Sequence, residues 1–128
     1  NIHAATDVTG FGLAGHGLEM AKAAGLTLEL VFDEVPLMNG ALGVYERGMS
    51  TGSNASNRES VAKHIELARS LSAAEEELLY DPQTNGGLLF ALPEAEAVDL
   101  VARLHDAGVA SATRIGSVLH EGAAIRVC

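Results

Sequence analysis

Four glycines fall within eight residues, Gly10, Gly12, Gly15 and Gly17, in the stretch Thr6-Asp7-Val8-Thr9-Gly10-Phe11-Gly12-Leu13-Ala14-Gly15-His16-Gly17. So few side chains suit a backbone that is approached closely, by other parts of the protein or by a ligand. Asp7 and Thr9 are residue types that cap helices, because a short side-chain oxygen accepts from the unpaired N–H groups of a first turn. Beyond them Phe11, Ala14, Leu18 and Ala21 recur at helical spacing, while Glu19 and Lys22 fall on the other side. The spacing predicts a helix over 10–24, closed by Gly25.

A helix start offers orphan N–H groups and the positive end of the dipole, and beside glycines it suits an anion such as phosphate. Asp7 alters this, because a carboxylate repels phosphate unless a cation lies between them. Mg²⁺ is commonly held through one or two carboxylates plus substrate phosphates. The stretch therefore reads as a metal–phosphate site, with Asp7 as the candidate ligand. The plainer alternative is that Asp7 and Thr9 only cap the helix and the glycines only permit close packing. A third reading is dinucleotide binding, since Gly10, Gly12 and Gly15 match G-x-G-x-x-G and Asp33 follows the apolar run 26–32. That fingerprint needs a buried strand before it, whereas residues 1–9 include His3, Thr6, Asp7 and Thr9. No Gly-Lys-Ser or Gly-Lys-Thr follows the glycines, which excludes a Walker A loop.

At 128 residues the chain suits one domain with its own core. A net charge of −9 argues against nucleic acid as a partner. No apolar run approaches the roughly 18 to 20 residues that span a bilayer, and no basic flank with an apolar core opens the chain, so neither membrane nor secretion is expected. Cys128 stands alone and cannot form a disulfide within the chain, which leaves a cytoplasmic setting as the default. Asn1 is not an initiator Met, and the most suggestive stretch comes first. This pattern suggests a piece of a longer protein, whose other part supplies further carboxylates or a lysine.

In chain order, 26–32 reads as a strand and 37–47 as a helix with Leu37, Ala41, Leu42 and Tyr45 inward. Residues 48–57, rich in Gly, Ser, Thr and Asn, read as a loop. Residues 60–68 fit either a helix or a short strand. Ser72-Ala73-Ala74-Glu75 has the form of a capping box, predicting a helix over 73–79. Tyr80-Asp81-Pro82-Gln83-Thr84-Asn85-Gly86-Gly87 is a second dense cluster, a turn leading into a buried strand over 88–92. Pro93 opens a helix that Gly108 ends, with His105 in its last turn. Strands over 112–119 and 123–127 are expected to form a hairpin through His120-Glu121-Gly122. His16, His64 and His120 lack zinc-site spacing and are assigned to no metal. The expected class is α/β (α+β), a mixed β-sheet packed with helices.

The runs from His3 to His16 and from Asp81 to Leu89 closely resemble selenophosphate synthetase, or selenide, water dikinase, in its C-terminal domain. The helix at Pro36-Leu37, the loop over 52–57 and the Ile115-Gly116 strand fit the same family. The resemblance implies a fold like the C-terminal domain of aminoimidazole ribonucleotide synthetase, distantly ferredoxin-like. It implies a parent enzyme that makes selenophosphate, phosphate and AMP from ATP, selenide and water with Mg²⁺. Asp7 matches the aspartate that joins carboxylates of an N-terminal ATP-binding domain at Mg²⁺, with Thr9 and Gly10 near the ATP phosphates. The implied partners are that N-terminal domain, absent from residues 1–128, and a second copy in a full-length homodimer. The family's catalytic Cys or selenocysteine and its Lys have no match here, so no catalytic residue is assigned and Cys128 is not given that role. Two positions depart from the family pattern: Asn85 stands where Ser is usual, and Ala5 where Cys is frequent. A different expectation is a packing and dimer-supporting module whose motifs brace the N-terminal domain.

Overall fold

The computed structural model describes residues 1–120, 122 and 124–128. Strand β1 (Ala4–Asp7) alternates half-buried and exposed positions, as one strand of a two-sided ribbon should. It pairs antiparallel with β4 (Leu88–Ala91), Ala4 opposite Ala91 and Asp7 opposite Leu88. Helix α1 (Gly12–Ala24) follows and ends at Gly25, whose φ of 69° is left-handed and whose N–H reaches the carbonyls of Ala21 and Lys22. Glycine adopts that cap without the steric cost other residues carry.

The chain then enters a second, mixed sheet. Its strands are β2 (Thr27–Leu30), β3 (Ile65–Leu67), β5 (Gly116–Leu119) and β6 (Ile125–Val127), in the order β3-β6-β2-β5. β6 runs parallel to both its neighbours, and β5 pairs antiparallel with β2. α1 lies on this sheet, and Gly17 lets it come close: a Cβ there would stand 3.2 Å from Ile125 Cδ1. Ala14, Leu18 and Ala21 of the helix meet Leu28, Leu30, Ile125 and Val127 of the sheet in one buried cluster. Helix α3 (Asn54–Val61) adds Val61, and α4 (Ala73–Tyr80) adds Leu79 and Tyr80. The remaining α-helices among the described residues are α2 (Ala41–Glu46) and α5 (Glu94–Asp106), and a short 3-10 turn spans Phe32–Glu34. The capping box forms as expected, Ser72 N–H donating to Glu75 Oε2 at 2.7 Å and Glu75 N–H to Ser72 Oγ at 3.2 Å. The α+β class with a mixed sheet and helices packed on it agrees with the pattern of the sequence.

Several expectations change. α1 starts at Gly12 rather than Gly10, and neither Asp7 nor Thr9 caps it: Asp7 ends β1, and Phe11, 56% exposed, holds the cap position without a side-chain bond. The predicted helix over 37–47 is confined to α2, because Gly40 takes φ 82° and breaks the turn before it. The expected loop over 48–57 yields α3 from Asn54 onward, with Asn54 and Asn57 buried. Residues 60–68 divide, the helix finishing at Val61 and β3 following. β4 is not a buried central strand, since Leu88 is 68% exposed and β1 is its partner in the ribbon. β5 and β6 do not form a hairpin, because β2 lies between them. Glu121 and Ala123, in that expected turn and strand, lie outside the described residues. Among the described residues no helix is long and apolar enough to cross a membrane.

The dinucleotide reading fails on topology. That unit requires a glycine loop between a strand and a helix whose next strand is parallel in the same sheet. Here β1 and β2 belong to different sheets, and Asp33 pairs with Arg69 at 2.7 Å.

Candidate functional site

The two dense clusters of the sequence meet. Val8 N–H donates to Gly87 O at 2.9 Å and Gln83 N–H to Thr9 O at 3.0 Å, so the end of β1 is laced to the loop over 81–87. Gly86 makes this contact possible, because a Cβ there would stand 2.1 Å from Val8 O. Gly12, at φ +71°, brings the first turn of α1 against the end of α4, where a Cβ would lie 2.8 Å from the Tyr80 carbonyl carbon. Gly15 is likewise closed off by Phe11 Cβ at 2.7 Å. Only Gly10 among the three fingerprint glycines has open space where a side chain would be. Close packing accounts for Gly12 and Gly15, and a ligand can approach the backbone at Gly10.

Asn57 locks the junction from below. Its buried amide donates to Gly10 O at 2.8 Å and to Tyr80 O at 2.9 Å, joining the glycine stretch to the end of α4. In the sequence this residue is marked only as the end of the polar loop over 52–57. It lies in a polar run whose composition reads as a loop, and only its three-dimensional neighbours give it work.

Asp81 is used internally. The Tyr45 hydroxyl donates to its Oδ1 and the Gln83 amide to its Oδ2, so both oxygens already have partners. Burial, then the bond to Asp81, pushes the Tyr45 phenol up to about 12. The same wall extends through α3 and α4. Asn54 Nδ2 donates to Glu77 O at 3.0 Å, and Arg58 bonds Glu76 and Glu77 at 2.6 and 2.7 Å while lying 4.7 Å over the Tyr80 ring. Partial burial penalises the Glu77 carboxylate, but the Arg58 and Asn54 bonds outweigh it and hold Glu77 below its ordinary range. A braced wall of this kind fixes the loop beside β1.

Asp7 and Thr9 stand at the open side of the junction. Asp7 is exposed, and among the described residues its carboxylate has no hydrogen bond or ion pair; its backbone oxygen accepts from Thr6 Oγ1 at 3.0 Å. Thr9 is half-buried, with Oγ1 2.9 Å from His16 Nε2. His16 itself is buried, at 7% exposure, and its Nδ1 lies 3.1 Å from Glu19 Oε2. Among the described residues no three of His, Cys, Asp and Glu gather as a metal shell. One free carboxylate suits a shared Mg²⁺ site, in which phosphate oxygens, waters and carboxylates from elsewhere complete the octahedron. The Cys128 thiol is directed at Leu30 O at 3.6 Å.

Comparison with known proteins agrees with this architecture. The family model described as AIR synthase related protein, C-terminal domain, matches residues 1–128. A selenide, water dikinase of Pseudomonas straminea is 43% identical over 115 residues, which are 90% of this chain and 32% of that protein. Those of Clostridioides difficile (38% over 122 residues) and Bdellovibrio bacteriovorus (42% over 118 residues) align over 95% and 92% of this chain and 35% and 33% of their own. The chain thus spans about a third of the length of the curated relatives it matches. The chain belongs to the AIR synthase related protein, C-terminal domain family, and resembles selenide, water dikinases over nearly its whole length.

Proposed function

We propose that this chain is the C-terminal domain of a selenide, water dikinase, and that it lends Asp7, Thr9 and Gly10 to a Mg-ATP site completed by an N-terminal ATP-binding domain. The observation that carries the reading is the Asp7 carboxylate, exposed and unpartnered among the described residues, at the end of a strand whose position is fixed by the loop over 81–87. A carboxylate with no structural duty on a braced backbone is pre-positioned for a ligand. Mg²⁺, when bound, would neutralise phosphate charge and polarise the transferring phosphoryl group. Asp7 would hold one side of the ion. The open backbone at Gly10 would admit a phosphate oxygen that a side chain would repel.

Alone, the chain offers one free carboxylate at this site among the described residues and would be inactive; the whole enzyme would be cytoplasmic and dimeric. The decisive variant is Asp7→Ala in the protein joined to its ATP-binding domain. Turnover of ATP with selenide is expected to fall by on the order of a hundredfold or more, as loss of a charge-stabilising ligand implies. Folding stability should stay within about 0.5 kcal/mol, because the side chain is exposed and holds no hydrogen bond or ion pair among the described residues. The packing-module reading draws on Gly12, Gly15 and Gly17, which protein atoms crowd. It requires the reverse result, lower stability with Mg²⁺ dependence intact.

A further inference from the structure

His16 stands out as a buried, ionisable side chain with both ring nitrogens engaged and no place in the reading above. Its Nδ1 faces Glu19 Oε2 at 3.1 Å, and its Nε2 faces Thr9 Oγ1 at 2.9 Å. Phe11 covers the ring, the two centroids 5.4 Å apart and tilted by 35°. An ionised carboxylate only accepts, so Nδ1 must carry the proton that joins it to Glu19. In neutral imidazole the other nitrogen is then an acceptor, and Thr9 must donate to it.

The geometry points to His16 as a positioning residue, set by Glu19, that draws the Thr9 hydroxyl proton inward and leaves Thr9 Oγ1 only lone pairs for a ligand. An acceptor-only oxygen two residues from the free carboxylate of Asp7 is unsuited to a bare phosphate oxygen, which also only accepts. It suits the cation or the cation's water. Within the site, Gly10 would then face phosphate, and Thr9 would stand with Asp7 on the metal side. This division of roles rests on the Mg-ATP reading above; the tautomer itself does not.

Long-range ¹H–¹⁵N correlation on the 128-residue chain reads the tautomer directly. The expected result is a proton on Nδ1 of His16 and none on Nε2. A ring protonated on Nε2, or on both nitrogens, would overturn the proposal. Glu19→Lys is the sharper variant, because Glu19 is exposed and an ammonium can only donate, which forces Nδ1 to accept and moves the proton to Nε2. The fold should persist while the tautomer switches, and an unchanged tautomer would count against Glu19 as the setter. In the protein joined to its ATP-binding domain, Glu19→Lys is expected to raise KM for Mg-ATP roughly five- to tenfold, the size of one neutral hydrogen bond. Thr9→Ser should restore normal behaviour where Thr9→Val does not, and in the Thr9→Val background Glu19→Lys should have no further effect. Additive effects of Thr9→Val and Glu19→Lys would contradict action through Thr9. If the unaltered long protein turned over no Mg-ATP, the catalytic reading would fail, and the cation-side role of Thr9 with it, while the tautomer stood or fell on the spectrum.

Discussion

Asn57 and Tyr45 show how much of the site is held by single side chains far from it in sequence. Asn57 donates to two backbone carbonyls from a buried position, so Asn57→Ala leaves Gly10 O and Tyr80 O without their partner. The expected loss is about 2–4 kcal/mol, to be read from the midpoint of urea unfolding. Tyr45 gives a test in alkali. An unfolded tyrosine ionises near 10.0, while burial and Asp81 hold the folded phenol neutral up to about 12. Between those values the unfolded chain releases a proton that the folded chain keeps, so stability is full below pH 10 and falls as pH rises toward 12. Burial also raises Tyr80, the other of the two tyrosines. Tyrosinate absorbance should therefore stay low in the folded chain at a pH where denaturant makes it appear at once; equal absorbance in both conditions would contradict a buried Tyr45 phenol bonded to Asp81.

At the level of elements, the glycine stretch divides by what each position faces. Gly10→Ala should fold normally, since nothing lies within 4 Å of a Cβ there, whereas Gly86→Ala drives a methyl into Val8 O at 2.1 Å. Circular dichroism and thermal melts of the two variants are expected to separate by many degrees. The α3–α4 seam should respond to acid. Glu77 is held below its ordinary value by Arg58 and Asn54 despite a burial penalty, so its contribution is present above about pH 4.5 and is lost as pH falls through its lower folded value. Arg58→Met should flatten that acid limb. These contrasts also mark what was legible beforehand. The capping box at Ser72, the stop at Gly25 and the β2 run announced themselves because local chemistry decides them. α3 did not, because the pattern that buries Asn54 and Asn57 is polar and becomes favourable only when Glu77, Gly10 and Tyr80 supply partners. The start of α1 was misread for a related reason: Asp7 has the chemistry of a cap but is carried away from the helix by its pairing with Leu88.

On the scale of the whole molecule, a mixed sheet covered by α1 and a separate β1–β4 ribbon place the two dense motifs at one junction, with Asp7 facing outward from it. The sequence motifs foretold that both stretches mattered, and their resemblance foretold the family. That they touch, and that Asp81 is consumed internally while Asp7 is free, came only from the fold. The most direct test is a structure of the protein joined to its ATP-binding domain, soaked with Mn²⁺ and a non-hydrolysable ATP analogue, with the metal located by its anomalous signal. The expected result is a Mn²⁺ ion about 2.0–2.3 Å from an Asp7 carboxylate oxygen and shared with the analogue's phosphates. A metal bound to those phosphates with Asp7 well outside coordinating distance would contradict it.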